Sequence, residues 1–412
     1  VPRFERIGDG VGFLSDPIPA ACSASAGLWI PNGSRHESAA QAGYSHFIEH
    51  MLFKGGRRRD QREIAKAIDR LGGYLNAFTE REHTCIHCTV PSGSLETALT
   101  VIIDMLEDAS FDPEELEKER SVILSEIESS RDDPEEESGE LFMEALFPGQ
   151  SIGRRIAGSA EDACRVSRDA LYSFYEERYK KAPLIIAVAG GLDQDACASL
   201  CGNALRSSSH RPDASSAREA PRWRSGKMLS SSSQRQVHHH SARIIPSARG
   251  YEAKRLMSVA FGESMCSRLY QGIRESEGLC YSVYSHFTRS SGIDMLGVYA
   301  ACEPGSAGRL EDALGAESDR FRGEGISVAE LDDAKSHLAG SVMLRADDSE
   351  YRMRRLARLH ADGQEDLSIE GSIARIRATT SDEVNEAIRE FFSCAGEFSF
   401  WYGPERGLKR LA

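Results

Sequence analysis

His46-Phe47-Ile48-Glu49-His50 constrains the fold of this chain more than any other five residues. Two imidazoles four residues apart, with a carboxylate between them, can bind one metal and activate water only if all three share a face. A helix provides that face. At about 100° per residue, His46, Glu49 and His50 fall within about a third of the circumference. Two histidines do not complete a site, since a catalytic zinc takes three protein ligands and keeps one position for water. A second element must therefore bring a carboxylate or another His to this helix.

The order H-x-x-E-H reverses the commoner H-E-x-x-H and is the inverzincin arrangement. Downstream, Phe111-Asp112-Pro113-Glu114-Glu115-Leu116 reads as a helix start, with Asp112 as N-cap, Pro113 at the first helical position and Glu115 closing a capping box. The helix continues through Glu119, Val122, Ile123, Leu124, Glu126 and Ile127 without Pro or Gly. Glu119 and Glu126, two turns apart, share a face. Glu128 lies about 200° from Glu126 around the axis and cannot replace it unless the helix turns. Glu114, Glu115 and Glu117 stand close by, so a solvated acidic face is the competing account of these carboxylates.

At this point the chain resembles peptidase family M16, the group of pitrilysin, insulin-degrading enzyme and mitochondrial processing peptidase. Glu126 stands 76 residues after His50, close to the separation at which that family places its third zinc ligand. Gly43-Tyr44-Ser45 before the motif, Met51-Leu52-Phe53-Lys54-Gly55 after it, and Leu71-Gly72-Gly73-Tyr74-Leu75-Asn76-Ala77-Phe78-Thr79 further on match as well. The resemblance implies that His46, His50 and Glu126 hold one Zn2+ per chain, that Glu49 is the general base, and that Glu119 supports the ligands from behind. It implies an α+β fold of the LuxS/M16 peptidase-like kind: two homologous α/β-sandwich halves, each an antiparallel-rich sheet flanked by helices.

Length and composition agree. At 412 residues the chain exceeds one ordinary domain. The formal charge of -14 argues against a nucleic-acid binder, whose footprint is basic. No run of about eighteen apolar residues suggests a membrane span. The start, Val1-Pro2-Arg3-Phe4, lacks an apolar signal core, as a processed precursor also would. Cys22, Cys85, Cys88, Cys164, Cys197, Cys201, Cys266, Cys280, Cys302 and Cys394 show no disulfide-framework spacing, which points to reduced thiols and a cytoplasmic location. Cys85-Ile86-His87-Cys88 alternates like a strand and has no second pair to complete a metal knuckle.

The chain divides in a Ser/Arg-rich stretch unable to bury a core. The expected parts are a zinc-binding half at 1–205, a linker at 206–235 and a related half at 236–412. Pro183-Leu184-Ile185-Ile186-Ala187-Val188-Ala189 reads as a strand, and Asp60 to Leu71 as a helix with Asp60 as cap, Glu63 in the box and Gly72-Gly73 as stop. Ile326-Ser327-Val328-Ala329-Glu330-Leu331 repeats the helix start at Phe111 with an offset of 215. At that offset Glu119 falls on Ala334 and Glu126 on Ser341, and the second half has no H-x-x-E-H, so the duplicate lacks a metal site. His238-His239-His240 reads as part of a partly exposed strand, the first of that half.

The second half still resembles the family where Arg274 and Tyr281, seven apart, reach toward substrate. A guanidinium can grip a peptide carbonyl and a phenol can donate to a tetrahedral oxyanion. Asn76 and Ala77 match the edge strand on which the family lays out its substrate by backbone pairing. The expected protein is a zinc metalloendopeptidase acting on extended peptides. With two of the family's four modules in the chain, it is expected to pair as a homodimer, or with a related chain, to enclose a chamber. An inactive assembly subunit is the alternative.

Overall fold

Short apolar runs in the first half become strands β1 (Arg3–Gly8), β2 (Val11–Pro17), β3 (Ser23–Ile30), β4 (Tyr74–Thr79), β5 (Thr84–Pro91) and β6 (Leu184–Gly190). In the computed structural model, which describes residues 1–206, 208, 210, 220–290, 292–393 and 396–411, they form one sheet in the order β1-β2-β6-β3-β5-β4. Only β2 and β6 pair in parallel. The run beginning Leu184 is apolar throughout because β6 is central and covered on both sides. Phe13, Ile186 and Val188 join one core with helices α1 (Tyr44–Leu52), α2 (Gln61–Leu71) and α3 (Leu95–Asp108). Their neighbours Leu14, Ala187 and Ala189 face the other way, onto Met353 and Leu356 of the helix Ser349–Ala361. Arg352 anchors that helix with a bidentate bond to Asp16 on β2, at 2.7 and 2.8 Å.

The second half forms β7 (Gly226–Ser231), β8 (Val237–Pro246), β9 (Cys280–Ser290), β10 (Ile293–Cys302) and β11 (Phe398–Gly403), in the order β7-β11-β8-β10-β9. The same plan occurs in the first sheet as β2-β6-β3-β5-β4, again with a single parallel pair, β7 with β11. The duplication seen at Phe111 and Ile326 thus extends to the whole sheet.

Each compact unit is discontinuous. The first comprises Val1–Ser129, Arg154–Arg218 and Leu344–Ile369, the second Ser130–Gly153, Glu219–Met343 and Glu370–Ala412, taking the described residues of each. The contiguous halves expected from the sequence miss this, because α4 (Pro113–Asp132) carries the chain out of the first unit. The following helix, α5 (Pro134–Leu146), packs Phe142 and Leu146 against Ala242, Phe398 and Phe400 of the second sheet. The expected linker also changes: Gly226–Ser231 is a strand whose polar side chains sit at a sheet edge. Residues 211–219 of that stretch, like Cys394, lie outside the described residues.

Local signals held elsewhere. Asp60 and Glu63 form the capping box of α2, and Gly72 closes it in the left-handed conformation. Cys85 and Cys88 are buried on β5. The His triplet departs from expectation: β8 is the unit's second strand and central, so His238, His239 and His240 are all buried. His238 bonds Tyr299 at 3.0 Å, His240 bonds Ser138 at 2.8 Å, and His239 packs with its ring tilted against Trp401 on the opposite face. Among the described residues no helix is long and apolar enough to cross a membrane.

Candidate metal centre

Helix α1 begins at Gly43, whose φ of +85° puts it in the left-handed region. A Cβ there would come within 2.5 Å of the Ala157 carbonyl oxygen, so glycine is required. From this start α1 buries Phe47, Ile48, Met51 and Leu52 in the core. His46, Glu49 and His50 are left on the half-exposed side. Helix α4 starts as expected at Asp112, whose carboxylate accepts from the backbone N–H of Glu114 at 2.9 Å and Glu115 at 3.2 Å. The Glu115 carboxylate is engaged by Lys118 at 2.5 Å, so the box expected there is replaced by a pair along the helix. Leu116, Ile123 and Ile127 bury one stripe of α4, which sets the register of Glu119 and Glu126.

Three atoms converge. His46 Nε2 lies 3.7 Å and His50 Nε2 3.4 Å from Glu126 Oε2, and one ligand atom from each residue falls within 4.8 Å of the others. Ligands about 2.0–2.1 Å from a tetrahedral zinc are separated by about 3.3 Å, so the set is of the right size. Two imidazole nitrogens and one carboxylate are also the right donor chemistry. Among the described residues, no other group of three His, Cys, Asp or Glu could hold a metal ion.

Surrounding side chains orient these groups. Glu119, buried at 7 % exposure, bonds His50 Nδ1 at 2.9 Å and receives Lys54 Nζ at 2.5 Å. A carboxylate behind a ligating His fixes its tautomer and turns Nε2 toward the metal. Glu49 accepts from the Thr79 hydroxyl at 2.6 Å. Burial raises the Glu49 carboxyl above its usual range, opposed by the Thr79 bond and His50 and reinforced by Glu126. Burial, with His50 adding, lowers His46 to about 4, which leaves its imidazole neutral and able to ligate at neutral pH. Thr79 and Lys54 were not singled out in the sequence. Lys54 had a signal, four residues after His50, whereas Thr79 is brought to Glu49 only by the sheet.

Asn76 and Ala77 lie on β4, an edge strand. The Ala77 N–H donates to Asn76 Oδ1 at 2.9 Å, so it is directed away from β5. In the second unit, Arg274 lies in the π-helical segment Tyr270–Ser276, its guanidinium 4.7 Å from the ring centres of both Tyr270 and Tyr281. Tyr281 opens β9 and is 79 % exposed, which is far from the packing of a core tyrosine.

The duplicate of α1 is the helix Tyr251–Ser258, which also starts after a left-handed glycine, Gly250, with φ +84°. Counted from these glycines, His46, Glu49 and His50 correspond to Ala253, Leu256 and Met257, all buried. The second unit has apolar packing where the first has the candidate metal-binding face.

Known proteins place the chain further. The profile described as Insulinase (Peptidase family M16) matches residues 13–160, and the one described as Peptidase M16 inactive domain matches residues 165–338. A protein of Mycobacterium tuberculosis named an uncharacterized zinc protease is 35 % identical over 407 residues, covering 95 % of this chain and 91 % of the relative. One of the same description from Bacillus subtilis is 30 % identical over 388 residues, covering 93 % and 94 %. The fold matches a solved protease from Helicobacter pylori with a TM-score of 0.88 at 16 % identity, over 98 % of this chain and 99 % of the other. It also matches a Pseudomonas fluorescens structure described as a peptidase M16 inactive domain, with a TM-score of 0.87 at 19 % identity and 98 % of each chain covered. With a family profile on each half and relatives aligned along nearly its whole length, the chain belongs to peptidase family M16.

Proposed function

We propose that this protein is a zinc-dependent metalloendopeptidase that cleaves extended, unfolded peptides, with His46, His50 and Glu126 as the ligands of one zinc per chain. The observation that carries the proposal is the convergence of those three donors beside Glu49. Zinc held by these residues would supply a Lewis acid and would lower the pKa of a water beside it. Glu49, raised by burial and held by Thr79, is the group placed to accept a proton from the attacking water and to return it to the leaving amine. Glu119 holds His50 in its ligating orientation. Asn76 and Ala77 align the peptide along β4 by backbone pairing. Tyr281 donates to the oxyanion and Arg274 grips the leaving side; the stacking of Arg274 on Tyr281 supports treating them as one device.

The chamber also belongs to this proposal. Two such chains, identical or related, enclose a space that admits a peptide and excludes a folded protein. An extended chain covers about 3.3 Å per residue, so substrates of about ten to a few tens of residues are expected. Among the described residues nine cysteines are free, in keeping with a reducing, cytoplasmic location. The alternative is an inactive assembly subunit. The profile described as an inactive domain matches residues 165–338, beyond His46, His50 and Glu126, and the three donors and Glu49 all lie in the first unit.

The test combines metal analysis, sedimentation and turnover of a quenched peptide by wild type and Glu49→Gln. Wild type should carry one zinc, sediment as a dimer and cleave the peptide; Glu49→Gln should keep zinc and lose cleavage. Stoichiometric zinc with no turnover of a broad peptide set would favour the assembly subunit. Loss of zinc in Glu49→Gln would move Glu49 into the ligand set.

A further inference from the structure

The N-terminal turn of α1 lacks the usual means of satisfaction. Its N-cap, Gly43, has no side chain, so the first N–H groups need an acceptor from elsewhere. Glu37, six residues earlier, supplies it: its carboxylate accepts from the backbone N–H of Gly43 at 2.9 Å and of Ser45 at 2.6 Å. Glu37 is only 4 % exposed. Burial raises its carboxyl to about 7 despite the two bonds that favour the charge. An N-cap Ser or Asp at the surface would satisfy one of these groups without burying a charge. The costlier arrangement has a geometric consequence, because a carboxylate with two fixed bonds restrains both the rotation and the axial position of the helix.

The support behind Glu37 is itself braced. Arg154 donates to the Glu37 carbonyl at 2.8 Å and to the Ser38 carbonyl at 2.6 Å, which holds the loop in place. Ser45 is gripped from other sides: Asn32 donates to its hydroxyl at 3.3 Å, and Tyr179, bonded to Thr84, donates to its carbonyl at 3.4 Å. Ser45 immediately precedes His46. His50, one turn on, has its own brace in Glu119, whereas His46 Nδ1 is buried with no hydrogen-bond partner among the described residues. The orientation of His46 therefore depends on how α1 is seated.

We propose that Glu37 is a positioning residue of the metal centre, seating α1 so that His46 and Glu49 point at the place where Glu126 meets His50. The inference rests on the ligand set proposed above. A metal site tolerates errors of about 10–20° in ligand direction, and a helix freed at its first turn exceeds that at His46 before it does so at His50. Removing Glu37 should thus weaken zinc binding and slow turnover while leaving peptide binding nearly intact.

The experiment uses the full chain, as wild type, Glu37→Ala and Glu37→Gln. Zinc affinity is measured by competition with a chromogenic chelator, and kcat and KM on a quenched peptide at saturating zinc, each per mole of protein folded by an unfolding assay. Glu37→Ala should bind zinc at least about tenfold more weakly and lose at least about tenfold in kcat, with KM within about twofold. Glu37→Gln, which keeps one acceptor oxygen, should recover part of both losses. A Glu37→Ala protein that melts earlier yet keeps wild-type zinc affinity and kcat per folded molecule would overturn the proposal, leaving Glu37 as a cap that serves stability alone. If Glu37→Ala does not fold, Glu37→Gln decides: a loss of zinc affinity and kcat supports the proposal, and wild-type values of both overturn it. Failure of the ligand set looks different, because wild type itself would then bind no zinc in the same competition, and both proposals would fall.

Discussion

Thr79, the last residue of edge strand β4, donates to Glu49 on α1 at 2.6 Å, which ties the proposed general base directly to the strand proposed to carry substrate. A peptide paired along β4 would be registered against the base by the same bond. Thr79→Val keeps the side-chain shape and removes the donor. It should lower turnover of a quenched peptide by about tenfold, on the order of losing one positioning bond, with zinc content unchanged. Wild-type turnover would show that Glu49 is held well enough by packing alone.

Glu126 and Glu128 separate proposed ligand from surface. Only Glu126 reaches the two imidazoles, at 3.4 and 3.7 Å, although both carboxylates are exposed on α4. Glu126→Ala should therefore lose zinc on dialysis and Glu128→Ala should retain it, as read by metal analysis. The opposite pattern would mean that α4 is rotated in the active protein.

Arg274 and Tyr281 test whether the second unit takes part in the chemistry. Tyr281 is exposed and stacked by Arg274, so replacing either side chain removes no core packing. Arg274→Ala and Tyr281→Phe should each cut kcat/KM by tenfold or more, roughly what one oxyanion or positioning donor contributes. Zinc content and thermal unfolding should stay at wild type. Undiminished kcat/KM in both variants would remove the second unit from the mechanism.

The buried histidines of β8 make stability depend on pH. Burial lowers His239 and His240 to about 3 each. An unfolded histidine titrates near 6.5, so between these values the unfolded chain binds the extra protons. Their contribution to stability is whole above about 6.5 and declines as pH falls toward 3. At pH 5, about 1.5 units below the unfolded value, each should cost about 2 kcal/mol relative to neutral pH. His239→Phe should reduce the loss of stability between pH 7 and pH 5 in urea unfolding. A pH dependence equal to that of wild type would place the acid sensitivity elsewhere.

Legibility followed the range of the interactions. The H-x-x-E-H spacing, the cap at Asp112 and the capping box at Asp60 depend on neighbours a few residues away, so periodicity and side-chain chemistry specify them. The strand Leu184–Gly190 could be read from its apolar run, and the duplication from matching helix starts. The His triplet could not be placed, because alternation assigns faces but does not distinguish a central strand from an edge.

The positions of α5 and the helix Ser349–Ala361 depend on apolar faces that find partners far along the chain, which no local pattern encodes. The same holds around the candidate metal centre. His46, Glu49 and His50 share a face because 3.6 residues make a turn, and sequence suffices for that. Glu126 joins them, Thr79 reaches Glu49 and Glu37 seats α1 only because the sheet and its helices pack in one arrangement, a long-range outcome of burial that residue spacing alone does not determine.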